Sequence, residues 1–130
     1  MKQHTASCSC GQLTLVARGD PIRVSMCHCL ACQRRTGSTY GVQARFRSAN
    51  VEIEGSATEW VRIGDEGNAC RFHFCPRCGA TVYYRLGGAD FIGVPVGAFA
   101  DPEFPPPQRS FYEQRRHPWV GVPSGAQRED

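Results

Sequence analysis

Seven of the eight cysteines lie in three short clusters, and their spacing constrains the fold more than any other feature of the sequence. The clusters are Cys8-Ser9-Cys10, Cys27-His28-Cys29-Leu30-Ala31-Cys32 and Cys75-Pro76-Arg77-Cys78. Four thiolates can close a tetrahedral zinc site, whereas three leave one coordination position for water or a substrate. The clusters therefore predict one structural site of four sulfurs and a second site of three.

The length of the chain predicts a single domain. Its 130 residues can form one hydrophobic core but not two, so we expect one domain over 1–130, with a core at about 7–119 and a mobile tail at 120–130. No apolar run reaches the ~20 residues of a membrane span. The polar segment 1–7 does not resemble a secretory signal, which predicts a cytoplasmic location, where clustered thiols favour metal binding over the alternative of a disulfide scaffold.

Short segments rich in β-forming residues and broken by glycine predict a mainly β fold. The predicted strands are 12–17, 22–26, 39–44, 51–53, 58–63, 71–74, 81–84 and 91–96. One short helix is predicted over 29–36, because good helix formers precede Gly37, a natural stop. The proline-rich segment 101–107 predicts an extended strap over the surface.

The cluster at Cys75 and Cys78 has the pattern of a zinc knuckle. A two-residue spacer lets both sulfurs face one ion, and the following Gly79 lets the backbone approach the second sulfur closely. Cys8 and Cys10 end in the same Cys-Gly pair and have no other obvious partner. We therefore predict that Cys8, Cys10, Cys75 and Cys78 (the four-sulfur cluster) bind a structural zinc.

Cys27, Cys29 and Cys32 (the three-sulfur cluster) can bind one face of a metal ion from a single short segment. What fills the fourth position decides the function, because an open position makes a reactive centre and a fourth side chain makes a second structural site. The side chains that could close it are Cys70, His28 and His73. Thiol redox chemistry without a metal is a further alternative, since Cys29 and Cys32 form a CxxC pair.

The charge distribution does not predict nucleic-acid binding. The net charge is +3, and the basic residues are spread along the chain rather than concentrated in one segment. Neither a basic run nor a stripe of interleaved aromatic residues is present.

Three motifs and a C-terminal element together resemble one known family. They are Ser7-Cys8-Ser9-Cys10-Gly11, the segment from Cys27 through Gln33-Arg34-Arg35-Thr36-Gly37, Phe74-Cys75-Pro76-Arg77-Cys78-Gly79, and His117-Pro118-Trp119. Their order and spacing resemble the glutathione-dependent formaldehyde-activating enzyme family, which includes centromere protein V. The resemblance extends from about residue 7 to residue 119.

The resemblance implies a fold of stacked antiparallel β-sheets in a zinc-bound, tent-like arrangement. It assigns the four-sulfur cluster to a structural zinc and the three-sulfur cluster to a labile zinc at which glutathione enters. It also implies carbon–sulfur lyase activity on adducts such as S-(hydroxymethyl)glutathione. Small-molecule thiols and aldehyde adducts are therefore the expected partners.

Our leading hypothesis is a zinc-dependent lyase in which Cys27, Cys29 and Cys32 form the catalytic centre. Arg34 and Arg35 are placed to bind the carboxylates of glutathione, although helix arginines are often simply solvated. Tyr40, Phe46 and Trp119 are candidates either for the pocket wall or for core packing. Two other hypotheses remain open: a carrier of glutathione adducts, and a zinc-stapled module that binds protein or nucleic acid.

Overall fold

The computed structural model describes residues 1–130 as two β-sheets, one α-helix and three short 3-10 helices. The strands are β1 (Gln3–Ser7), β2 (Thr14–Arg18), β3 (Arg23–Cys27), β4 (Gly41–Arg47), β5 (Val51–Glu54), β6 (Thr58–Ile63), β7 (Ala69–Phe74), β8 (Thr81–Leu86), β9 (Phe91–Pro95), β10 (Arg109–Phe111) and β11 (Gln127–Arg128). The 3-10 helices are Ser48–Asn50, Val96–Phe99 and Glu113–Arg115.

The α-helix, α1 (Leu30–Thr36), follows the three-sulfur cluster directly. It ends at Gly37, which adopts the left-handed conformation at φ 72° that favours glycine at a helix end. The predictions of a mainly β fold and of one short helix at this place are thus confirmed. None of the helices is long and apolar enough to cross a membrane.

The strands form a small sheet in the order β1-β2-β5 and a large sheet in the order β11-β10-β3-β4-β9-β8-β7-β6. All pairings are antiparallel except those of β10, which runs parallel to both β3 and β11. The strap predicted at 101–107 returns the chain to the large sheet beside β3. The strands of each parallel pair are far apart in the chain, since residues 28–108 separate β3 from β10 and residues 112–126 separate β10 from β11, whereas a tight hairpin gives only an antiparallel pairing.

The main core combines side chains from both sheets, including Leu13, Leu15, Phe46, Ile92 and Val94, which are at most 2% exposed. Phe46, a candidate for the pocket wall, lies in this core and not in a pocket. The opposite face of the large sheet is left free of the small sheet, and the candidate functional site is on that face.

Three strands, β1, β10 and β11, were not predicted. β1 and β10 are short and polar, and both still bury alternate residues such as His4, Ala6 and Ser110. The segment 120–130, for which mobility was expected, contains β11, whose register pairs Gln127 with Arg109. Local sequence is too weak to indicate strands whose pairing depends on distant parts of the chain.

Glu113 connects this C-terminal segment to the domain. Its carboxylate accepts hydrogen bonds from the Ser110 hydroxyl and from the guanidinium groups of Arg116 and Arg128. Burial raises the pKa of Glu113, but these hydrogen bonds outweigh it and hold the pKa below its usual value. The ionised carboxylate therefore stabilises the fold above the unfolded-state pKa, and this contribution is lost as the pH falls through the folded-state pKa.

We predict that Glu113→Gln lowers the free energy of unfolding by about 1–3 kcal/mol at neutral pH. The difference from the wild-type protein should shrink as the pH falls below the ordinary pKa of glutamate, about 4.3, and disappear at the still lower pH where folded Glu113 is itself protonated. Urea unfolding at a series of pH values measures both effects. Glu103→Gln, at an exposed carboxylate, is the control and should leave stability unchanged; an equal loss in both variants would contradict the role given to Glu113.

Candidate metal centres

The structure brings the four sulfurs of Cys8, Cys10, Cys75 and Cys78 within 4.8 Å of one another. The Cys8 and Cys10 sulfurs are 3.7 Å apart, and those of Cys10 and Cys75 are 3.6 Å apart. A tetrahedral zinc with Zn–S bonds of about 2.3 Å requires sulfurs about 3.8 Å apart. The donor set and its spacing therefore fit one zinc ion.

Two similar Cys-Gly turns build the four-sulfur cluster. Gly11 and Gly79 both take a left-handed conformation, at φ 86° and 81°, which lets each turn fold back around its sulfurs. One turn joins β1 to β2 in the small sheet, and the other joins β7 to β8 in the large sheet. A metal bound by both turns would cross-link the two sheets.

Hydrogen bonds around the four-sulfur cluster favour ionised sulfur. The Gln12 side-chain amide donates to the Cys75 sulfur at 3.0 Å, and the Arg77 N–H donates to it at 3.3 Å. Burial raises the pKa of the Cys75 thiol, but these bonds and that of the Cys78 N–H lower it to about 6. A thiolate is the form that binds zinc. The hydrogen bonds around these sulfurs therefore favour zinc binding, as do the distances between them.

The three-sulfur cluster lies where β3 ends and α1 begins. Its sulfurs, from Cys27, Cys29 and Cys32, are within 4.8 Å of one another. Cys29 is the N-cap of α1, and its sulfur accepts the Cys32 N–H at 3.3 Å. The strand end and the first helical turn thus direct three sulfurs to one point.

The surroundings of Cys29 favour its ionised form. The thiols of Cys27 and Cys32 donate to the Cys29 sulfur and, with the N–H groups of Cys32 and Ala31, lower the pKa of Cys29 to about 2. The pKa of Cys27 is raised, chiefly because its own thiol proton is held in the bond to Cys29. A cation would replace these shared protons and ionise all three sulfurs.

None of the three proposed fourth ligands belongs to the three-sulfur cluster. His28 is fully buried and its Nε2 lies 2.9 Å from the Ser110 hydroxyl, while the His73 Nε2 lies 3.0 Å from a Glu59 oxygen. Cys70 is partly buried in β7 and lines the same cavity as the cluster without joining it. The fourth position therefore faces a cavity and not a side chain of these types.

The cavity beside the three-sulfur cluster has a volume of about 1160 Å³ and covers the free face of the large sheet. Its aromatic lining comes from Trp60, Phe72, Phe74, Tyr84, Phe111 and Tyr112. Tyr40, Phe46 and Trp119 do not line it, and Trp119 is 73% exposed on the surface. Because side chains alternate between the two faces of β6 and β7, the sequence predicts which residues share a face. It does not predict which of the two faces borders the cavity.

Arg34 and Arg35 both line the cavity, next to the three-sulfur cluster. The Arg35 guanidinium lies over the Phe72 ring, 5.2 Å from its centroid, whereas Arg34 is exposed. Neither makes an ion pair with a carboxylate of the chain. Both guanidinium groups are therefore available to an anionic ligand.

Gln43 supports the three-sulfur cluster, a role that no sequence motif indicated. This buried side chain comes from β4, and its amide lies 3.8 Å from the Cys32 sulfur. We predict that Gln43→Leu weakens zinc binding at this cluster roughly 10- to 100-fold while the four-sulfur cluster keeps its affinity. Competition with a chelating dye measures both affinities; equal weakening of the two would instead indicate a general loss of stability.

A two-sheet β fold, a four-sulfur cluster between the sheets and a three-sulfur cluster open to a cavity define a cysteine-rich β protein with two candidate metal sites. The chain belongs to the glutathione-dependent formaldehyde-activating enzyme family, whose model matches residues 3–115. The family prediction is thereby confirmed. No curated protein sequence matches the chain.

A solved structure of a Rhodobacter sphaeroides protein has a similar fold. The two chains share 20% identity with a TM-score of 0.56, and the match covers 72% of this chain and 85% of the other. At this identity the likeness supports the fold alone.

Proposed function

We propose that this protein is a zinc-dependent carbon–sulfur lyase that acts on adducts of glutathione and an aldehyde, such as S-(hydroxymethyl)glutathione. One observation carries the proposal: three sulfurs meet at the wall of a large cavity, and no fourth metal-binding side chain joins them. The family description supplies the thiol and the aldehyde. On this proposal the four-sulfur cluster holds a structural zinc and Cys27, Cys29 and Cys32 hold the zinc that takes part in the reaction.

A zinc ion at the three-sulfur cluster would supply the positive charge that keeps a substrate thiol ionised at neutral pH, where free thiols are mostly protonated. The side chains around it have separate tasks. Gln43 holds the Cys32 sulfur in place, and Arg34 and Arg35 bind the carboxylates of glutathione. The aromatic residues of the cavity reduce the water around the reacting atoms.

The reaction releases one proton and moves two electron pairs, one from the O–H bond into the carbonyl and one from the carbon–sulfur bond to sulfur. The hydroxyl group of the adduct loses its proton to solvent, its oxygen forms the carbonyl of formaldehyde, and the carbon–sulfur bond breaks. The electron pair of that bond stays on sulfur, which leaves glutathione as a thiolate. In the reverse direction the same thiolate adds to the aldehyde.

A second function, carriage of the adduct without catalysis, is favoured by the scarcity of proton-transfer groups. The carboxylates that line the cavity are Asp65 and Glu66, both on the exposed turn between β6 and β7, and no histidine lines it. Without a general base near the sulfurs, the protein would bind the adduct but leave its exchange rate unchanged.

Exchange spectroscopy by NMR distinguishes these functions. It measures how fast the methylene carbon of the adduct exchanges with free formaldehyde, with and without zinc-loaded protein. A lyase raises this rate at substoichiometric protein concentration, whereas a carrier only binds an equivalent of adduct. Arg47→Gln, which changes an exposed side chain outside the cavity, is the control and should keep the wild-type rate; an unchanged rate with wild-type protein would refute the lyase.

A further inference from the structure

The arginines of this chain are divided into two groups by the cavity. The arginines that form salt bridges all lie outside the cavity; they are Arg18, Arg71, Arg109, Arg116 and Arg128. The arginines that line the cavity have no carboxylate partner; they are Arg23, Arg34, Arg35, Arg45, Arg62 and Arg115. The cavity therefore carries an excess of positive charge over its two carboxylates.

Arg23 and Arg45 form the most constrained pair in this group. They lie directly opposite each other in the register of β3 and β4, on the floor of the cavity. The Arg23 guanidinium lies 5.0 Å from the Phe111 ring centroid, and that of Arg45 lies 4.2 Å from the centroid of Phe91. Aromatic stacking thus holds both planar groups in fixed positions.

The pair is buried without enough partners. Both side chains are partly buried, and the Nε atom of each has no hydrogen-bond partner and no contact with solvent. Burial and the like charges of Arg45 and Arg109 lower the pKa of Arg23. The nearby carboxylate, Glu129, is already paired with Arg109 at 3.3 Å. The repulsion between these two partly buried cations raises the free energy of the ligand-free protein. A bound anion would lower that free energy.

A continuous polar floor leads from these arginines to the three-sulfur cluster. Arg23, Ser25 and Cys27 share one face of β3 because side chains alternate along a strand, and Gln43 lies opposite Ser25. Four residue steps of extended chain lead from Arg23 to Cys27, which corresponds to about 13 Å between their Cα atoms. One extended ligand can therefore contact both places.

We propose that Arg23 and Arg45 form an anion-binding subsite for a phosphate or carboxylate at the far end of the thiol whose sulfur reaches the three-sulfur cluster. The placement of the thiol rests on the proposed function, whereas the anion subsite stands on its own residues. The substrate class is thus a thiol that carries an anionic group on the order of 10 Å from its sulfur. Planar guanidinium groups suit either oxyanion, because they donate paired hydrogen bonds to both.

Thermal unfolding with simple anions tests the subsite without any thiol. The zinc-loaded protein is heated in millimolar phosphate, succinate or chloride at equal ionic strength. A ligand that binds only the folded state raises the unfolding midpoint as its concentration increases. The variants are Arg23→Gln and Arg45→Gln. Arg47→Gln is the matched control, because Arg47 lies on the same strand, is exposed, has no ion pair and is outside the cavity.

We expect phosphate or succinate to raise the midpoint of the wild-type protein and of Arg47→Gln relative to chloride, and Arg23→Gln and Arg45→Gln to lose this shift. A larger shift with phosphate identifies a phosphate-bearing ligand, and a larger shift with succinate identifies a carboxylate. Equal shifts in all four proteins, or no shift in the wild-type protein, would overturn the subsite. Should one variant fail to fold, the other gives the same comparison.

The same comparison in Cys29→Ser separates this subsite from the proposed function. If the subsite is right, that variant keeps the anion-dependent shift although it loses turnover. If turnover is absent from the wild-type protein but the shift depends on Arg23 and Arg45, the lyase is refuted and the subsite stands. In the zinc-loaded protein, affinity for an anionic thiol substrate should fall about tenfold or more in Arg45→Gln.

Discussion

Cys75→Ser is expected to leave the chain unfolded under conditions in which the wild-type protein is folded. The substitution removes one of four zinc-binding sulfurs, and zinc binding of this kind supplies about 10 kcal/mol or more of folding free energy. A domain of this size has a total stability of about 5–15 kcal/mol. The loss is large because the two turns of the four-sulfur cluster are the metal link between the small and large sheets.

Circular dichroism and metal analysis of the purified variant measure this outcome. Cys70→Ser is the matched control, because Cys70 is a partly buried cysteine of the adjoining strand that belongs to neither cluster. It should keep its fold and its zinc. A Cys75→Ser protein that unfolds cooperatively at the wild-type temperature would contradict a structural role for this cluster.

Cys29→Ser is expected to have a different effect: loss of one zinc and of the catalysed exchange, with the fold retained. Cys29 provides a sulfur of the three-sulfur cluster and caps α1, and serine is itself a good N-cap residue. The substitution should therefore preserve the helix while it removes the most readily ionised of the three sulfurs. We expect the exchange rate to fall to the uncatalysed value.

Zinc content, circular dichroism and the exchange rate of Cys29→Ser are measured on the same sample. The variant should contain one zinc and show a wild-type spectrum. Ser38→Ala, just beyond the same helix, is the control for indirect effects, because Ser38 is exposed and lines neither cluster nor cavity. Wild-type turnover in Cys29→Ser would refute the mechanism, and unfolding would show that this cluster too is structural.

The sequence was sufficient to predict the two cysteine clusters and the elements next to them. Cysteine spacing predicted both groups of sulfurs, and the helix formers before Gly37 predicted α1. These features are local, since each depends on residues within a few positions. The pairing of Cys8 and Cys10 with Cys75 and Cys78 is the exception, and it could be predicted because the only matching Cys-Gly turn is distant in the chain.

The cavity could not be predicted, because it depends on which strands become neighbours. Trp60 and Phe72 lie on adjacent strands β6 and β7, while Arg23 and Arg45 meet only through the pairing of β3 with β4. A single sequence does not indicate that register. For the same reason, the sequence did not decide whether Phe46 and Trp119 belong to the wall of the pocket or to the hydrophobic core. In the structure neither residue lines the cavity.

We infer that the protein holds two zinc ions of different kinds, one closed in by four sulfurs and one open to the cavity. Zinc release to a chelating dye, followed over time with and without glutathione, distinguishes the two sites. We predict two phases of one zinc each, with glutathione changing the rate of the fast phase only and Cys29→Ser abolishing that phase. A single zinc, or two zincs released at one rate that glutathione does not change, would contradict the account.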